Sequence, residues 1–168
     1  MKKLIAFFLC ISILSCDDGD LDIPAFDFEE TVYGCDLKDN NYTLFRLGIA
    51  EAIIVTLPKT ALKEQETVNP IKVSITEENV IYRTFSDQIS QDYFCEDIPP
   101  VEPRILSNWT GVSGNNNDII IVTIKVFDSN NNITGYKHTI TFENLKVQKD
   151  DLYLAFEEEV FGDFTIDL

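Results

Sequence analysis

The sequence is poor in the residues that most catalytic and metal sites need. Its 168 residues include one histidine, one methionine, one tryptophan and four cysteines. A single histidine excludes any site that needs two histidine ligands, such as most zinc hydrolase centres. No serine lies in a Gly-x-Ser-x-Gly turn, and no glycine-rich phosphate loop is present. We therefore favour a non-catalytic function.

Basic residues are also scarce. The chain has 13 lysines and arginines against 29 aspartates and glutamates, a formal net charge of −16. Such a surface repels nucleic acids and anionic lipid headgroups, because both are negatively charged. We predict no nucleic-acid partner, and we interpret most of the acidic residues as a solvated surface.

Apart from the N-terminus, the sequence has no long apolar run. Lys2 and Lys3 precede an apolar stretch from Leu4 to Leu14, and the small residue Ser15 follows it. This stretch is shorter than the roughly 20 apolar residues of a membrane-spanning helix. The pattern predicts a signal peptide over residues 1–15.

The end of this segment reads ILSC, where the cysteine is Cys16. The order resembles a bacterial lipobox, which implies a diacylglyceryl group on the sulfur of Cys16 and a membrane contact through that lipid. The alternatives are lipidation at Cys10 or an ordinary signal peptide with an incidental cysteine. Residues 16–25 hold four aspartates beside a glycine, which predicts a flexible acidic tether. An acidic run after a lipidated cysteine resembles the surface export signal of lipoproteins in the Bacteroidota, which implies an outer-membrane anchor facing the exterior.

Two cysteines remain after the signal and the lipidation site, Cys35 and Cys95. An even pair in an exported protein predicts a disulfide between them. Two free buried thiols are the alternative.

Alternation with period two dominates residues 26–168 and predicts β-strands in a single domain. In the run DIIIVTIKVF we expect one face to point inward, namely Ile120, Val122, Ile124 and Val126. The run DSNNN then connects it to YKHTITF as a hairpin. Residues 59–68 lack alternation and predict a short helix or a loop, and residues 86–103 predict an irregular segment. The fold class is all-β: an antiparallel β-sandwich, immunoglobulin-like in the loose sense, or a partly open barrel.

Several long phrases point to a family. They are CDDGDL, FDFEE, EAIIVTLP, VIYRTFSDQISQDYFCEDIPPVEP and ITGYKHTITFENL. Together they resemble a family of small lipoproteins from flavobacteria and related Bacteroidota. The family has no assigned activity, so the resemblance implies location and single-domain architecture and transfers no catalytic residue.

The candidate site residues each have a structural interpretation. His138 shares the apolar face of its strand and is interpreted as a core residue. Glu157 and Glu159 form a carboxylate pair of the kind that hydrolyses glycosides, although close pairs are expected by chance in so acidic a chain. In DSNNN, a weak calcium site is suggested by alternating oxygen donors, as it is in residues 115–118, but a hairpin turn is favoured. The DSNNN donors are Asp128, Asn130 and Asn132.

These observations leave three functional classes. The favoured one is a lipid-anchored, non-catalytic binding or interaction module with an unknown protein or glycan partner. The alternatives are a glycan hydrolase that uses carboxylates and a structural envelope protein. We predict no catalytic residue and no cofactor, with calcium as the alternative.

Overall fold

The computed structural model describes residues 26–35, 38–96 and 98–168. The predicted signal peptide (1–15), Cys16 and the tether (16–25) lie outside the described residues. The described part is almost entirely strand, which confirms the all-β fold class. The elements are β1 (Tyr33–Gly34), β2 (Asn41–Leu47), β3 (Glu51–Pro58), β4 (Ile71–Ser74), β5 (Val80–Phe85), α1 (Asp92–Cys95), β6 (Ile105–Gly111), β7 (Asp118–Phe127), β8 (Ile133–Lys149) and β9 (Leu152–Asp167).

All nine strands belong to one antiparallel sheet that folds over itself. The hydrogen-bonded order is β1-β2-β3-β5-β6-β8-β7-β4, and β9 pairs with the other edge of β8. Strand β8 pairs with β7 along residues 133–143 and with β6 at residues 147–148, so it passes from one layer to the other. The strands of the described residues do not close into a barrel, and the architecture is sandwich-like.

The main core lies between the two layers. Inward residues of β2, β3, β5 and β6 meet inward residues of β7, β8 and β9, as in a sandwich whose inner faces interdigitate. Burying one such large apolar side chain contributes roughly 1.5–3 kcal/mol. The largest fully buried members of this core are Tyr82, Phe142, Phe161, Leu44, Leu57, Leu62, Ile75, Ile119, Ile121, Ile140 and Leu145.

The predicted inward face of β7 is wrong. The structure buries the alternate set, Ile119, Ile121 and Thr123, whereas the predicted residues are half-buried or exposed. The register with β8 decides this, because Ile121 pairs with the fully buried Ile140. Since strand residues alternate between faces, a choice shifted by one residue inverts the whole strand. The inverted set is Ile120, Val122, Ile124 and Val126.

A second apolar cluster covers the outer face of β2, β3 and β5. Strand β3 is buried on both faces, with Ile53 in the main core and Ile54 in this second cluster. The segment 86–104 covers the cluster and is irregular, as predicted, except for the single turn α1, which contributes the buried Tyr93.

The predicted disulfide is present: Cys35, just after β1, is bonded to Cys95 in α1, with Cα atoms 5.1 Å apart. It ties the covering segment to the edge of the sheet. In immunoglobulin domains the bridge instead crosses between the two sheets.

Residues 26–30, the first that the structure describes, pack at one end of strands β2 and β3. The backbone N–H of Glu29 donates to the carbonyl of Leu47 at 2.8 Å, beside the turn that joins the two strands. Arg46 donates to the carbonyls of Phe28, Glu29 and Val160 at 3.2, 2.8 and 3.0 Å. We call this the entry end, and the opposite end, where β2 begins at Asn41 and β3 ends at Pro58, the far end.

At the far end, residues 59–70 cross from one layer to the other without forming a helix, so the loop alternative of the prediction holds. Thr67 fixes this loop to β7, because its backbone N–H donates to the carbonyl of Thr123 at 3.1 Å. Within the part of the chain that the structure describes, no helix has the length and hydropathy needed to cross a membrane.

Candidate functional site

The single histidine is a core residue. The His138 side chain is fully buried, and its Nδ1 shares a 2.8 Å hydrogen bond with Oγ1 of Thr123. Its Nε2 has no hydrogen-bond partner within the described residues. Burial lowers the pKa of His138, because charging the ring there would remove the ion from water.

The proposed calcium loop forms a hairpin turn. Both carboxylate oxygens of Asp128 accept hydrogen bonds: Oδ1 from the backbone N–H groups of Asn130 and Asn132 at 2.8 Å, and Oδ2 from the Asn132 amide at 3.0 Å. The bonds from Asn132 lead in lowering the pKa of Asp128. In residues 115–118, Asn117 is buried and its amide donates to the carbonyl of Val112. No group of three or more His, Cys, Asp or Glu side chains in the described residues could hold a metal ion.

The predicted carboxylate pair does not line one cleft together. Glu157 and Glu158 line an open cleft of about 510 Å³ on β8 and β9, which we call the glutamate cleft, whereas Glu159 is not among its lining residues. Lys72 also lines this cleft and lies 2.8 Å from the carboxylate of Glu143. The ammonium group of Lys72 therefore already offsets part of the negative charge of the glutamate cleft. The remaining lining residues are Pro70, Ile120, Thr141, Phe142 and Asn144.

A second cleft, of about 770 Å³, opens at the far end of β2 and β3. Two lysines four residues apart, Lys59 and Lys63, line it, and we call it the lysine cleft. The other lining residues are Asn40, Asn41, Pro58, Thr60, Leu62 and Glu64.

Local backbone chemistry builds the lysine cleft from two distant pieces of chain. Asp39 and Asn40 have φ values of 49° and 61°, a left-handed conformation that Asn and Asp tolerate better than most residues. They turn the chain into β2, and the pairing of Asn41 with Pro58 brings this turn beside the end of β3. The N–H of Lys59 then donates to the carbonyl of Asn40 at 2.8 Å.

Buried apolar residues hold the loop that carries both lysines. Ala61 and Leu62 are each only 2% exposed and belong to the main core. Lys59 and Lys63, on either side of this anchor, are exposed. The lysine side chains therefore project into solvent from a loop whose backbone is fixed.

Several basic residues of the described chain form ion pairs, and the two lysines of the cleft do not. Lys125 pairs with Glu66 at 3.5 Å and Lys137 with Asp163 at 2.9 Å. Within residues 26–35, 38–96 and 98–168, neither Lys59 nor Lys63 forms an ion pair. This cleft was not predicted from the sequence. The motif KTALK was its only local signal, because Asn40 reaches the cleft through strand pairing alone.

Four aromatic side chains that could contact a ligand do not form an exposed surface in the described part of the chain. Tyr82, Tyr93 and Trp109 are buried, and the half-buried Tyr42 packs against the main core. No protein-family model, curated protein or solved structure matches this chain. Its function therefore has to follow from the residues and geometry described above.

Proposed function

We propose that this protein is a lipid-anchored, non-catalytic binding module on the outer face of an outer membrane. In this proposal the signal peptide (1–15) is removed, the sulfur of Cys16 carries the lipid, and residues 16–25 act as a tether. The ILSC order, the acidic run after it and the resemblance to small flavobacterial lipoproteins support the anchor. Two or three acyl chains would hold the protein almost permanently, since each buried CH₂ contributes about 0.8 kcal/mol.

The observation that carries the binding function is the position of the lysine cleft. The tether joins the folded part at Phe26, and the N–H of the next residue, Asp27, donates to a carboxylate oxygen of Glu51 at the entry end. The cleft lies at the opposite end of β3, whose eight residues span roughly 25 Å at about 3.3 Å each. The cleft therefore lies at the end of the domain opposite to the end that the tether joins, where the anchor leaves it accessible.

Protease treatment of intact cells tests the display. A protease that cannot cross the outer membrane should cleave the wild-type protein and leave a periplasmic control protein intact. Survival in intact cells, together with cleavage after lysis, would contradict an outward orientation.

Two cysteine variants test the anchor. Cys16→Ala should release the protein or leave it unprocessed, while the matched variant Cys10→Ala should stay anchored. Unchanged mass and membrane fractionation of Cys16→Ala would contradict lipidation at that residue.

The competing function is glycan hydrolysis by carboxylates of the glutamate cleft. The mature lipoprotein in detergent should be applied to a glycan array and to chromogenic glycosides. Retention without turnover supports a binding module, and turnover that Glu157→Gln abolishes supports a hydrolase. If no glycan is retained or hydrolysed and no protein partner is recovered, a structural envelope protein is favoured.

A further inference from the structure

We propose that the lysine cleft binds an acidic carbohydrate, a chain of hydroxyl-rich sugars that carry carboxylate groups. This inference rests on the proposed binding function and names the ligand class of that site. It depends on three features of the cleft: its unpaired cations, its neutral hydrogen-bonding groups and the state of the backbone around it.

The first feature is local positive charge on an acidic protein. Lys59 and Lys63 line the cleft without an ion-pair partner in the described residues, and Glu64 is the acidic residue among the lining. At physiological ionic strength the screening length is about 8 Å, so the more distant carboxylates contribute little to the potential inside the cleft. An approaching carboxylate therefore meets two ammonium groups and one carboxylate in the lining, a net positive charge.

The second feature is the rest of the lining. Asn40 and Thr60 add an amide and a hydroxyl, which can both donate to and accept from sugar hydroxyls. No hydrogen bond of either side chain to another described residue is found, so both groups remain available to a ligand. Pro58 and Leu62 add apolar surface. The lining combines cations with neutral hydrogen-bonding groups, which suits a ligand that is both acidic and polyhydroxylated.

The third feature argues against an extended acidic peptide as the ligand. Such peptides usually bind by adding a strand to a free sheet edge. The backbone at the strand ends that border the cleft is already hydrogen-bonded: Lys38 and Asn41 exchange both N–H to carbonyl bonds, and Lys59 donates to Asn40. An acidic peptide therefore could not add a strand to the sheet at these strand ends.

The test measures the affinity of the mature lipoprotein in detergent for defined probes by calorimetry. The main probe is an oligogalacturonate, and the comparison probes are a neutral malto-oligosaccharide of equal length, a polyglutamate peptide and inorganic sulfate. We expect oligogalacturonate to bind most tightly, and to bind more weakly in 500 mM than in 50 mM salt. The neutral probe should bind at least tenfold more weakly.

Variants assign the binding to the cleft. Lys59→Gln combined with Lys63→Gln should weaken oligogalacturonate binding by about tenfold, as expected for the loss of two exposed charge-assisted contacts. The matched control is Lys146→Gln, which removes an exposed lysine that also lacks an ion-pair partner in the described residues. It should change the affinity by less than twofold. Circular dichroism and the melting temperature should be unchanged in all variants, since the three side chains are exposed.

Several outcomes would overturn the inference. Equal affinity of the wild type and the double variant would place the binding elsewhere. Preference for polyglutamate would identify an acidic peptide ligand, and preference for sulfate a small anion. Binding of none of the anionic probes would refute the ligand class, while the protease experiment on intact cells and retention on the glycan array would still decide the proposed function independently. If the double variant misfolds, charge-retaining Lys59→Arg with Lys63→Arg provides a second test, and it should keep the affinity within about threefold.

Discussion

Removing the disulfide between Cys35 and Cys95 should destabilise the protein in a specific region. The bond joins residues separated by 60 positions in the chain. On the chain-entropy model, opening a loop of this length costs about 4 kcal/mol of stability. The free energy of unfolding of native proteins is roughly 5–15 kcal/mol. The double variant Cys35→Ser with Cys95→Ser should therefore remain folded, with a much smaller free energy of unfolding.

The structure also predicts where the loss appears first. The bond attaches α1 to the edge of the sheet, and the residues around α1 cover the second apolar cluster. Phe94, beside Cys95, lies 4.5 Å from the ring of Phe45, measured between ring centroids. Without the covalent attachment, residues 86–96 should open more often than the strands they cover, because local opening costs less than global unfolding.

Two measurements check this prediction. Urea unfolding at pH 7 should give a free energy of unfolding about 4 kcal/mol lower for the double variant, and hydrogen exchange should increase most in residues 86–96. A reducing agent serves as the control, since it should destabilise the wild type and leave the double variant unchanged. A loss below 1 kcal/mol, or faster exchange centred on β7 and β8, would refute the role assigned to the bond.

Three further predictions concern the core and the entry end. Burial lowers the pKa of His138 below its usual 6.5, so below pH 6.5 the unfolded chain binds more protons than the folded one. The contribution of the neutral, buried His138 to folding stability is therefore fully present above pH 6.5. It is lost on acidification, by up to about 1.4 kcal/mol per pH unit. His138→Gln should lose stability less steeply between pH 7.5 and 5 in urea titrations, and parallel curves for the two proteins would contradict this. Gly162 has φ +130°, and an added Cβ would lie 2.6 Å from a methyl carbon of Val32, so Gly162→Ala should lower the free energy of unfolding by roughly 2–3 kcal/mol. The control Gly114→Ala should cost less, because its added Cβ would meet only the side chain of Asn117. Equal melting temperatures for the two variants would argue against strain at Gly162. Arg46→Met should lower the free energy of unfolding by about 2 kcal/mol, because three backbone carbonyls lose a charged donor. Hydrogen exchange should also become faster in residues 26–30. Unchanged exchange there would refute the role of Arg46 at the entry end.

Most strands could be predicted from the sequence, because alternation is a local property of the chain. Alternation predicts strands over Tyr42–Leu47, Ala52–Leu57, Ile71–Ile75 and Val80–Phe85. The last has the observed bounds of β5, and the ends of β2, β3 and β4 differ from the predicted ends by at most one residue. Strand β6 was not predicted, because apolar and polar residues do not alternate consistently at its start. Leu106 is 65% exposed while Ser107 is buried, so apolar character does not mark the inner face at the start of this strand. The disulfide was also predictable, since only Cys35 and Cys95 remained to pair.

Composition by itself determined much of the chemistry available to this protein. One histidine and few basic residues restrict the functions that 168 residues can support, whatever their fold. Only the tertiary structure decided which face of β7 is buried and that Asn40 lies beside Lys59. The physical reason is the range of the interactions. Periodicity and composition depend on neighbouring residues, whereas the buried face and the lysine cleft depend on strand registers that join distant parts of the chain.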